Sequence, residues 1–321
     1  MHAVLACGPG GRALAADLAH LLAIDTDTPH GGDATPEAAE IALTIVAGGA
    51  EDITLCGLRF CPDLDALARI PALDDDTPGH DGHTLTTALT GWGALPSWFT
   101  PDDRDVARAV ARSRWLAGGA TPGEIATRLT PPRHGVQLLP MSDRPVEAHV
   151  VLEQGDDRYA LHALEWASTA AGITDGAPTP VHVSAAGLTD ATPAPGVLDA
   201  VRQATSIALP LTSPVTGLGV MLGLPGLRDA LRGTSARVVG LGPHLLPARG
   251  DEEATLRSLD LPFTSRDVGA LFEDVLDVYL VPETELEETR RRLREVDVRP
   301  APADPTELAR AVLAASEHPT R

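Results

Sequence analysis

Carboxylates cluster after the second apolar run of the chain, where a strand is expected to end. Glu51 and Asp52 follow the run 41–46, and Asp63 and Asp65 come shortly afterwards. Such hard oxygen ligands suit Mg²⁺, which takes one or two protein carboxylates and completes its shell with water and substrate phosphate. The group therefore indicates magnesium-assisted phosphate chemistry. A solvated acidic loop is the alternative interpretation in so acidic a chain.

A second pattern suited to phosphate stands near the amino end. The apolar run 2–7 is followed by Gly8, Gly10 and Gly11, and then by leucines at helical spacing. Strand, glycine turn and helix is the arrangement that directs backbone N–H groups at a phosphate. The three glycines are therefore candidate substrate-binding residues, and a plain tight turn is the alternative.

Two further polar segments, 98–105 and 138–146, each end a regular element and present charge. The candidate substrate contacts in them are Asp103, Arg104, Asp105, Ser142 and Asp143. Capping is the competing explanation for the first segment, because Asp102 or Asp103 can accept a backbone N–H at the start of the helix that follows.

The composition excludes several classes of protein. The chain has 321 residues, 43% of them hydrophobic and 22% charged, as in a globular protein. Its net charge is −20, and all 25 basic residues are arginine. Such a surface repels nucleic acid and anionic membranes, so neither is an expected partner. Three cysteines without a paired framework, no signal-peptide pattern and no membrane-length apolar run predict a cytoplasmic protein.

The order of elements that must position these residues is strand, helix and strand, repeated along the chain. This alternation predicts an α/β fold with a doubly wound, mainly parallel sheet, whose ligands lie beyond the carboxyl ends of the strands. We expect one domain over residues 1–300, with an inserted helical and strand subregion at about 66–205, and a helical tail over 301–321.

Several strings, in the same order, resemble the 2-phospho-L-lactate transferase family, called CofD or FbiA. The matching strings are Gly57-Leu58-Arg59-Phe60-Cys61-Pro62-Asp63-Leu64-Asp65, Trp98-Phe99 with Asp103-Arg104-Asp105-Val106-Ala107, Leu139-Pro140-Met141-Ser142-Asp143 with Pro145-Val146, Pro214-Val215-Thr216, and Pro225-Gly226-Leu227-Arg228. The resemblance covers roughly residues 3–281.

The resemblance implies a Rossmann-like, Mg²⁺-dependent and usually homodimeric transferase. Its acceptor is Fo, a deazaflavin with a ribityl chain, whose terminal hydroxyl attacks the diphosphate of a lactyl or enolpyruvyl diphospho-guanosine donor and releases GMP. By the match to the family's motifs, Asp52 and Asp63 are catalytic and metal-binding candidates. Arg104 is a catalytic candidate that is expected to face these two carboxylates across the cleft and to bind phosphate or the carbonyl edge of the deazaflavin. The part of the chain around the matching string Pro214-Val215-Thr216 makes Thr212, Ser213 and Thr216 candidates for contacts with the donor.

The departures from the family pattern all fall in ligand loops. Pro9 removes one N–H donor from the glycine turn, and Gly48-Gly49 stands where the family has Asn-Thr. Leu211-Thr212-Ser213-Pro214 replaces Pro-Ser-Asn-Pro, and a lysine-bearing segment before Arg249 is shortened. Three hypotheses therefore stay open: an active transferase with either donor, a regulator that binds nucleotides or sugar nucleotides, and a degenerate subunit that stabilises an active partner.

Overall fold

The computed structural model describes residues 1–23, 40–74, 82–170 and 178–315. Within these ranges the strands are β1 (His2–Ala6), β2 (Leu43–Ala47), β3 (Ile53–Leu55), β4 (Leu58–Phe60), β5 (Val136–Pro140), β6 (Glu147–Gln154), β7 (Asp157–His162), β8 (Thr179–Ala186), β9 (Ser206–Pro210), β10 (Arg237–Leu241), β11 (Val278–Val281) and β12 (Asp297–Pro300). The helices are α1 (Gly8–Leu22), α2 (Pro62–Leu67), α3 (Thr84–Gly91), α4 (Asp103–Leu116), α5 (Pro122–Leu129), α6 (Ala163–Ala170), α7 (Val197–Gln203), α8 (Leu218–Leu222), α9 (Leu227–Gly233), α10 (Gly250–Ser258), α11 (Ser265–Ala270), α12 (Leu286–Arg292) and α13 (Pro305–Ala315).

The central sheet is parallel and has the order β12-β11-β10-β9-β1-β2-β5. The chain builds outwards from β1 through β2 to β5, and then returns to the other side of β1 with β9. The direction of winding therefore reverses between β1 and β9, which is where open α/β sheets bind ligands. The predicted doubly wound α/β fold is confirmed.

Helices cover both faces of this sheet, and alternate residues of β1 enter different apolar clusters. Leu5 packs in one cluster, whereas Val4 packs in the other together with Leu14 and Leu18 of α1. This alternation follows from the period of two along a strand. A strand buried on both sides reads as a continuous apolar run, and that is why β1 is recognisable in the sequence.

The additions to the sheet form two separate groups, because β5 lies inside the predicted insert and pairs with β2. The prediction of one continuous insert at about 66–205 is therefore wrong, because a strand of the central sheet interrupts it. Before β5 come the β3–β4 hairpin and helices α2 to α5, and after it come the antiparallel sheet β7-β6-β8 and α6. The turn of the hairpin is Cys56-Gly57, in which both residues have positive φ, as a two-residue hairpin requires.

The carboxyl-terminal region is integrated into the domain. Residues 297–300, at the end of the predicted domain, form the edge strand β12 beside β11. Helix α13 packs against α1, with Leu308 and Val312 buried; residues 316–321 of the predicted tail lie outside the described ranges. Within the described residues, no helix combines the length and apolar character needed to cross a membrane.

Candidate active site

The glycine turn after β1 and the turn after β9 meet at the point where the sheet reverses its winding. Gly8 has a φ of +63°, and its N–H donates to Asp63 Oδ1 over 2.9 Å. A Cβ placed on Gly10 would lie 2.5 Å from Thr212 Oγ1 and 2.8 Å from the carbonyl oxygen of Pro247. Only glycine permits this approach, so Gly10 joins three loops in one crevice.

The last glycine of the turn has a packing role. A Cβ on Gly11 would come within 2.9 Å of the backbone of Ala6, so the side chain must be absent for α1 to fold back onto β1. The amino end of α1 therefore points into the crevice that Gly8 and Gly10 border. Pro9 lies in the first turn of α1, where most N–H groups have no partner within the helix.

Asp63 lies in the first turn of α2 and points under the glycine turn. Gly48 makes room for it, because a Cβ there would lie 2.5 Å from Asp63 Oδ2. Burial, and then the charge of Glu51, raises the pKa of Asp63 to about 8, against the opposing effect of the Gly8 N–H. At Gly48, where the chain departs from the family, the space that a side chain would fill is thus taken by the carboxylate of Asp63 in α2.

Asp52 lies between β2 and the β3–β4 hairpin, directly before β3. Its Oδ1 is buried and has no hydrogen-bond partner, and its Oδ2 lies 3.7 Å from Arg59. Burial raises the pKa of Asp52 to about 7, although Arg59 opposes the shift, and the charge of Asp52 raises the pKa of Asp63 in turn. A Cβ on Gly48 would lie 2.5 Å from Asp63 Oδ2 and one on Gly49 3.7 Å from Asp52 Oδ2, so the two carboxylates flank neighbouring residues of one loop.

These carboxylates fit a magnesium ion. Among the residues that the structure describes, no group of three or more His, Cys, Asp or Glu side chains converges as a metal cage. Magnesium does not need one, because it takes one or two carboxylates together with water and substrate phosphate. The buried, unpartnered oxygen of Asp52 and the neighbouring carboxylate of Asp63 suit that chemistry, because a bound cation would compensate negative charges that burial disfavours.

An arginine does lie beside this acidic group, but it is Arg249. Its Nη1 donates to Glu51 Oε2 over 2.8 Å, its Nη2 pairs with Glu51 Oε1, and its Nε lies 3.1 Å from Asp251. Arg104, expected opposite Asp52 and Asp63, instead pairs with Asp74 at 2.5 Å and does not line the cavity that Asp52 borders. The expectation that Arg104 faces the two carboxylates is therefore wrong, because Arg104 points towards the end of the segment that follows α2.

The capping interpretation of segment 98–105 is correct. Asp102 caps α4, with Asp105 completing a capping box, and both accept hydrogen bonds from Arg69. Asp103 accepts from the N–H of Leu85 over 2.9 Å, at the start of α3. The carboxylates of Asp103 and Asp105, predicted to bind substrate, are thus engaged in holding helices.

One carboxylate of the early cluster is structural. Asp65 is buried and receives two hydrogen bonds from Arg112, at 2.5 and 3.1 Å. Arg112 also donates to the carbonyl oxygen of Arg59 over 3.1 Å. The pair joins α2 to α4 and fixes the hairpin strand that carries Arg59.

A cavity of about 520 Å³ opens beyond the carboxyl ends of β2 and β5. Asp52, Ser142 and Asp143 border it together with Met141 and Val146, and the hairpin and α4 complete the wall. Asp143 Oδ1 accepts from the N–H of Gly123 over 2.7 Å, and Ser142 Oγ accepts from the N–H of Arg144 over 3.1 Å. The predicted pair thus lies at the cavity, with part of its hydrogen-bonding capacity used by the backbone.

Two hydroxyls of the turn after β9 contact a carboxylate that the sequence did not reveal. Ser213 Oγ donates to Glu252 Oε1 over 2.6 Å, and Thr216 donates to the same oxygen. Burial raises the pKa of Glu252 to about 7, even though both hydroxyls favour its charged form. Glu252 Oε2 and Thr212 Oγ1 are buried without partners. The turn after β9 thus places Thr212 beside the glycine turn and joins Ser213 and Thr216 to Glu252, while the contact of all three with the donor stays a prediction.

The residues that the sequence interpretation missed are Glu252, Arg249 and Arg59. Arg59 stands in a string that matched the family, so its position there was the available signal. Glu252 and Arg249 belong to α10 and its N-cap, far along the chain, where charged residues read as an ordinary exposed helix.

Comparison with known proteins identifies the family of this chain. The model of the family described as 2-phospho-L-lactate transferase CofD matches residues 4–319. A protein of Thermobifida fusca named phosphoenolpyruvate transferase is 36% identical over 291 residues, covering 84% of each chain. One of the same name from Mycolicibacterium smegmatis is 33% identical over 257 residues, covering 75% of this chain and 77% of its own.

Among solved structures, protein BH3568 of Bacillus halodurans, a member of the UPF0052 family, shares the fold. Its TM-score is 0.58 at 14% identity, and the match covers 97% of this chain and 99% of that one. The family match over nearly the whole chain, with relatives above 30% identity, decides the assignment. The chain belongs to the CofD family of 2-phospho-L-lactate transferases.

Proposed function

We propose that this protein is a transferase of coenzyme F-420 biosynthesis that moves a phosphoenolpyruvyl group from a guanosine diphospho-donor to the deazaflavin Fo. The enolpyruvyl donor is preferred over the lactyl one because the relatives reported above are named phosphoenolpyruvate transferases. In the reaction, a bond forms between the acceptor's ribityl oxygen and the phosphorus next to the enolpyruvyl group. The bond to GMP breaks, and the hydroxyl proton is released.

The observation that carries this proposal is that two dissimilar sites adjoin at one pair of carboxylates. The cavity bordered by Asp52 is mostly apolar and of a size for a flat ring system. The crevice above Asp63 is bordered by the amino end of α1 and by the buried, unpartnered hydroxyl of Thr212, which suit a diphosphate. A transferase needs an acceptor site and a donor site that meet at the reacting atoms.

The residues of this chain supply most of the chemistry by positioning. The glycine turn and the amino end of α1 bind the donor's diphosphate, and the cavity holds the deazaflavin away from water. Asp52, which borders the cavity, accepts a hydrogen bond from the attacking hydroxyl. A magnesium ion held by Asp52 and Asp63 would neutralise the charge that develops on the diphosphate.

The decisive experiment measures GMP released from the enolpyruvyl and the lactyl donors by purified protein with Fo and MgCl₂. We expect turnover with both, faster with the enolpyruvyl donor, and none with EDTA. Asp63→Asn should lower turnover by about 100-fold or more, because it removes a charge at the reacting phosphate. Asp199→Asn is the matched control, since Asp199 is an exposed acid on α7.

Calorimetric binding of GDP without any GMP release would contradict the proposal and favour the nucleotide-binding regulator. Absence of both would favour a subunit that supports an active partner. The homodimer implied by the family resemblance stays a prediction, which light scattering of the purified protein checks.

A further inference from the structure

Arg249 binds carboxylates on both sides of the crevice through its guanidinium group. Two nitrogens contact Glu51, which follows β2, and the third lies 3.1 Å from Asp251 in α10. Glu51 and Asp251 are almost fully buried, whereas the side chain of Arg249 stays 24% exposed. The ion pairs therefore join the first half of the sheet to the second across the switch point.

The loop that leads to Arg249 lies directly on the glycine turn. The carbonyl oxygen of Pro247 stands 2.8 Å from the position of a Cβ on Gly10. Beneath the loop, Thr212 Oγ1 and Glu252 Oε2 are buried without hydrogen-bond partners. Buried polar atoms without partners are rare in folded proteins, and the hydroxyl of Thr212 lies beside Gly10, at the crevice in which a phosphate would lie.

A guanidinium fork fits phosphate oxygens as well as it fits a carboxylate. A diphosphate entering the crevice would bring negative charge to the side where Arg249 already lies. Glu51, released from the arginine, would then be a free carboxylate next to Asp52 in the chain.

We propose that Arg249 exchanges partners during binding. It leaves Glu51 and Asp251 for the diphosphate of the donor, and Glu51 then becomes a third carboxylate facing the cation held by Asp52 and Asp63. The ion pair seen here is the resting state of this exchange. The inference rests on the proposed function only in requiring that the crevice bind a diphosphate.

The test uses inorganic pyrophosphate as the probe, titrated calorimetrically with EDTA or with MgCl₂. Arg249→Ala should weaken binding by about tenfold or more in both conditions, and Arg249→Lys should recover part of it, because lysine keeps the charge and loses the fork. Glu51→Gln should tighten binding roughly threefold with EDTA, since the arginine is freed, and weaken it with MgCl₂.

Arg257→Ala is the matched control, because Arg257 is an exposed arginine on the same helix and pairs only with Glu253 among the described residues. Its pyrophosphate affinity should equal that of the wild type. Melting temperatures are recorded for each variant, so that a folding defect is separated from a binding defect.

A structural ion pair without exchange would give lower melting temperatures for Arg249→Lys and Glu51→Gln with unchanged pyrophosphate affinity, and that result overturns the inference. So does a wild type that binds no pyrophosphate in either condition. The outcome is independent of turnover, because a protein that never transfers to Fo can still show the opposite effects of Glu51→Gln with and without magnesium.

Discussion

The buried carboxylate of Glu252 makes stability depend on pH. Burial raises its pKa to about 7 in the folded protein, whereas an unfolded glutamate ionises near pH 4.3. Between these values the folded state binds more protons, so the free energy of unfolding falls as the pH rises. We expect Glu252→Gln to match the wild type near pH 4.5 and to exceed it by a few kcal/mol, roughly, at pH 8.

Thermal melts of both proteins at intervals of one pH unit, in EDTA, measure this difference. Glutamine keeps an oxygen that accepts from Ser213 and Thr216, so the variant isolates the charge. A difference that stays constant with pH would show that Glu252 is ionised throughout.

Two arginines of α4 should behave differently when truncated. Arg112→Ala leaves the buried Asp65 without its bidentate partner and should cost about 3–5 kcal/mol of stability. Arg104→Ala removes one partly exposed ion pair with Asp74 and should cost about 1 kcal/mol or less, with turnover within a few-fold of the wild type. Urea unfolding and GMP release measure both quantities, and a large loss of turnover in Arg104→Ala at normal stability would restore its catalytic role.

The acidic cluster shows what residue types alone can and cannot reveal. Its chemistry was predictable, because acids after a strand end suit a cation. The separate roles of the individual acids were not predictable, because no helix was assigned to the segment that carries Asp63 and Asp65. Pro62 instead begins α2, and helical residues two apart point to opposite sides, so Asp63 enters the crevice while Asp65 meets Arg112.

At the scale of elements, the contact between α1 and the turn after β9 depends on Gly10 having no side chain. Gly10→Ala would place a Cβ 2.5 Å from Thr212 Oγ1, so one of the two turns must move. We expect a stability loss of about 1–3 kcal/mol, typical of overpacking, together with weaker binding of pyrophosphate. Urea denaturation and calorimetry measure the two effects.

Gly233→Ala is the control for that substitution. Gly233 ends α9 in open space, and alanine there should raise stability by up to about 1 kcal/mol, because it favours the helix. Unchanged pyrophosphate binding in Gly10→Ala would show that the two turns do not form one site.

Most regular elements of the sheet were predictable, because β1, β9, β10 and β11 are buried runs set off by glycine, proline or polar turns. The exceptions have physical reasons. Strand β12 is a short edge strand with polar residues at alternate positions, so its apolar signal is weak. The hairpin β3–β4 has only three residues in each strand, too few for a clear period.

At the scale of the whole molecule, the crevice exists because the chain adds strands first on one side of β1 and then on the other. Asp52 and Asp63 come from the half that contains β2, and Glu252 and Arg249 come from the half that contains β9 to β11. No spacing between residues in the sequence indicates that the side chains of these two halves lie close together. The sequence therefore predicts each half of the site separately, and the topology decides which residues face one another.

Helix α13 tests whether the predicted tail is part of this single unit. Leu308 is buried in the same apolar cluster as Leu14 and Leu18 of α1, whose amino end borders the crevice. We expect Leu308→Ala to cost about 2–5 kcal/mol of stability and to lower the melting temperature of the entire protein in one transition.

Pyrophosphate binding should be lost at the same temperature as the circular dichroism signal, because α1 cannot unfold separately from the sheet. Arg310→Ala, an exposed change on the same helix, should leave the transition in place. Two separate transitions, with binding retained after the first, would instead make α13 an appendage of an independent domain.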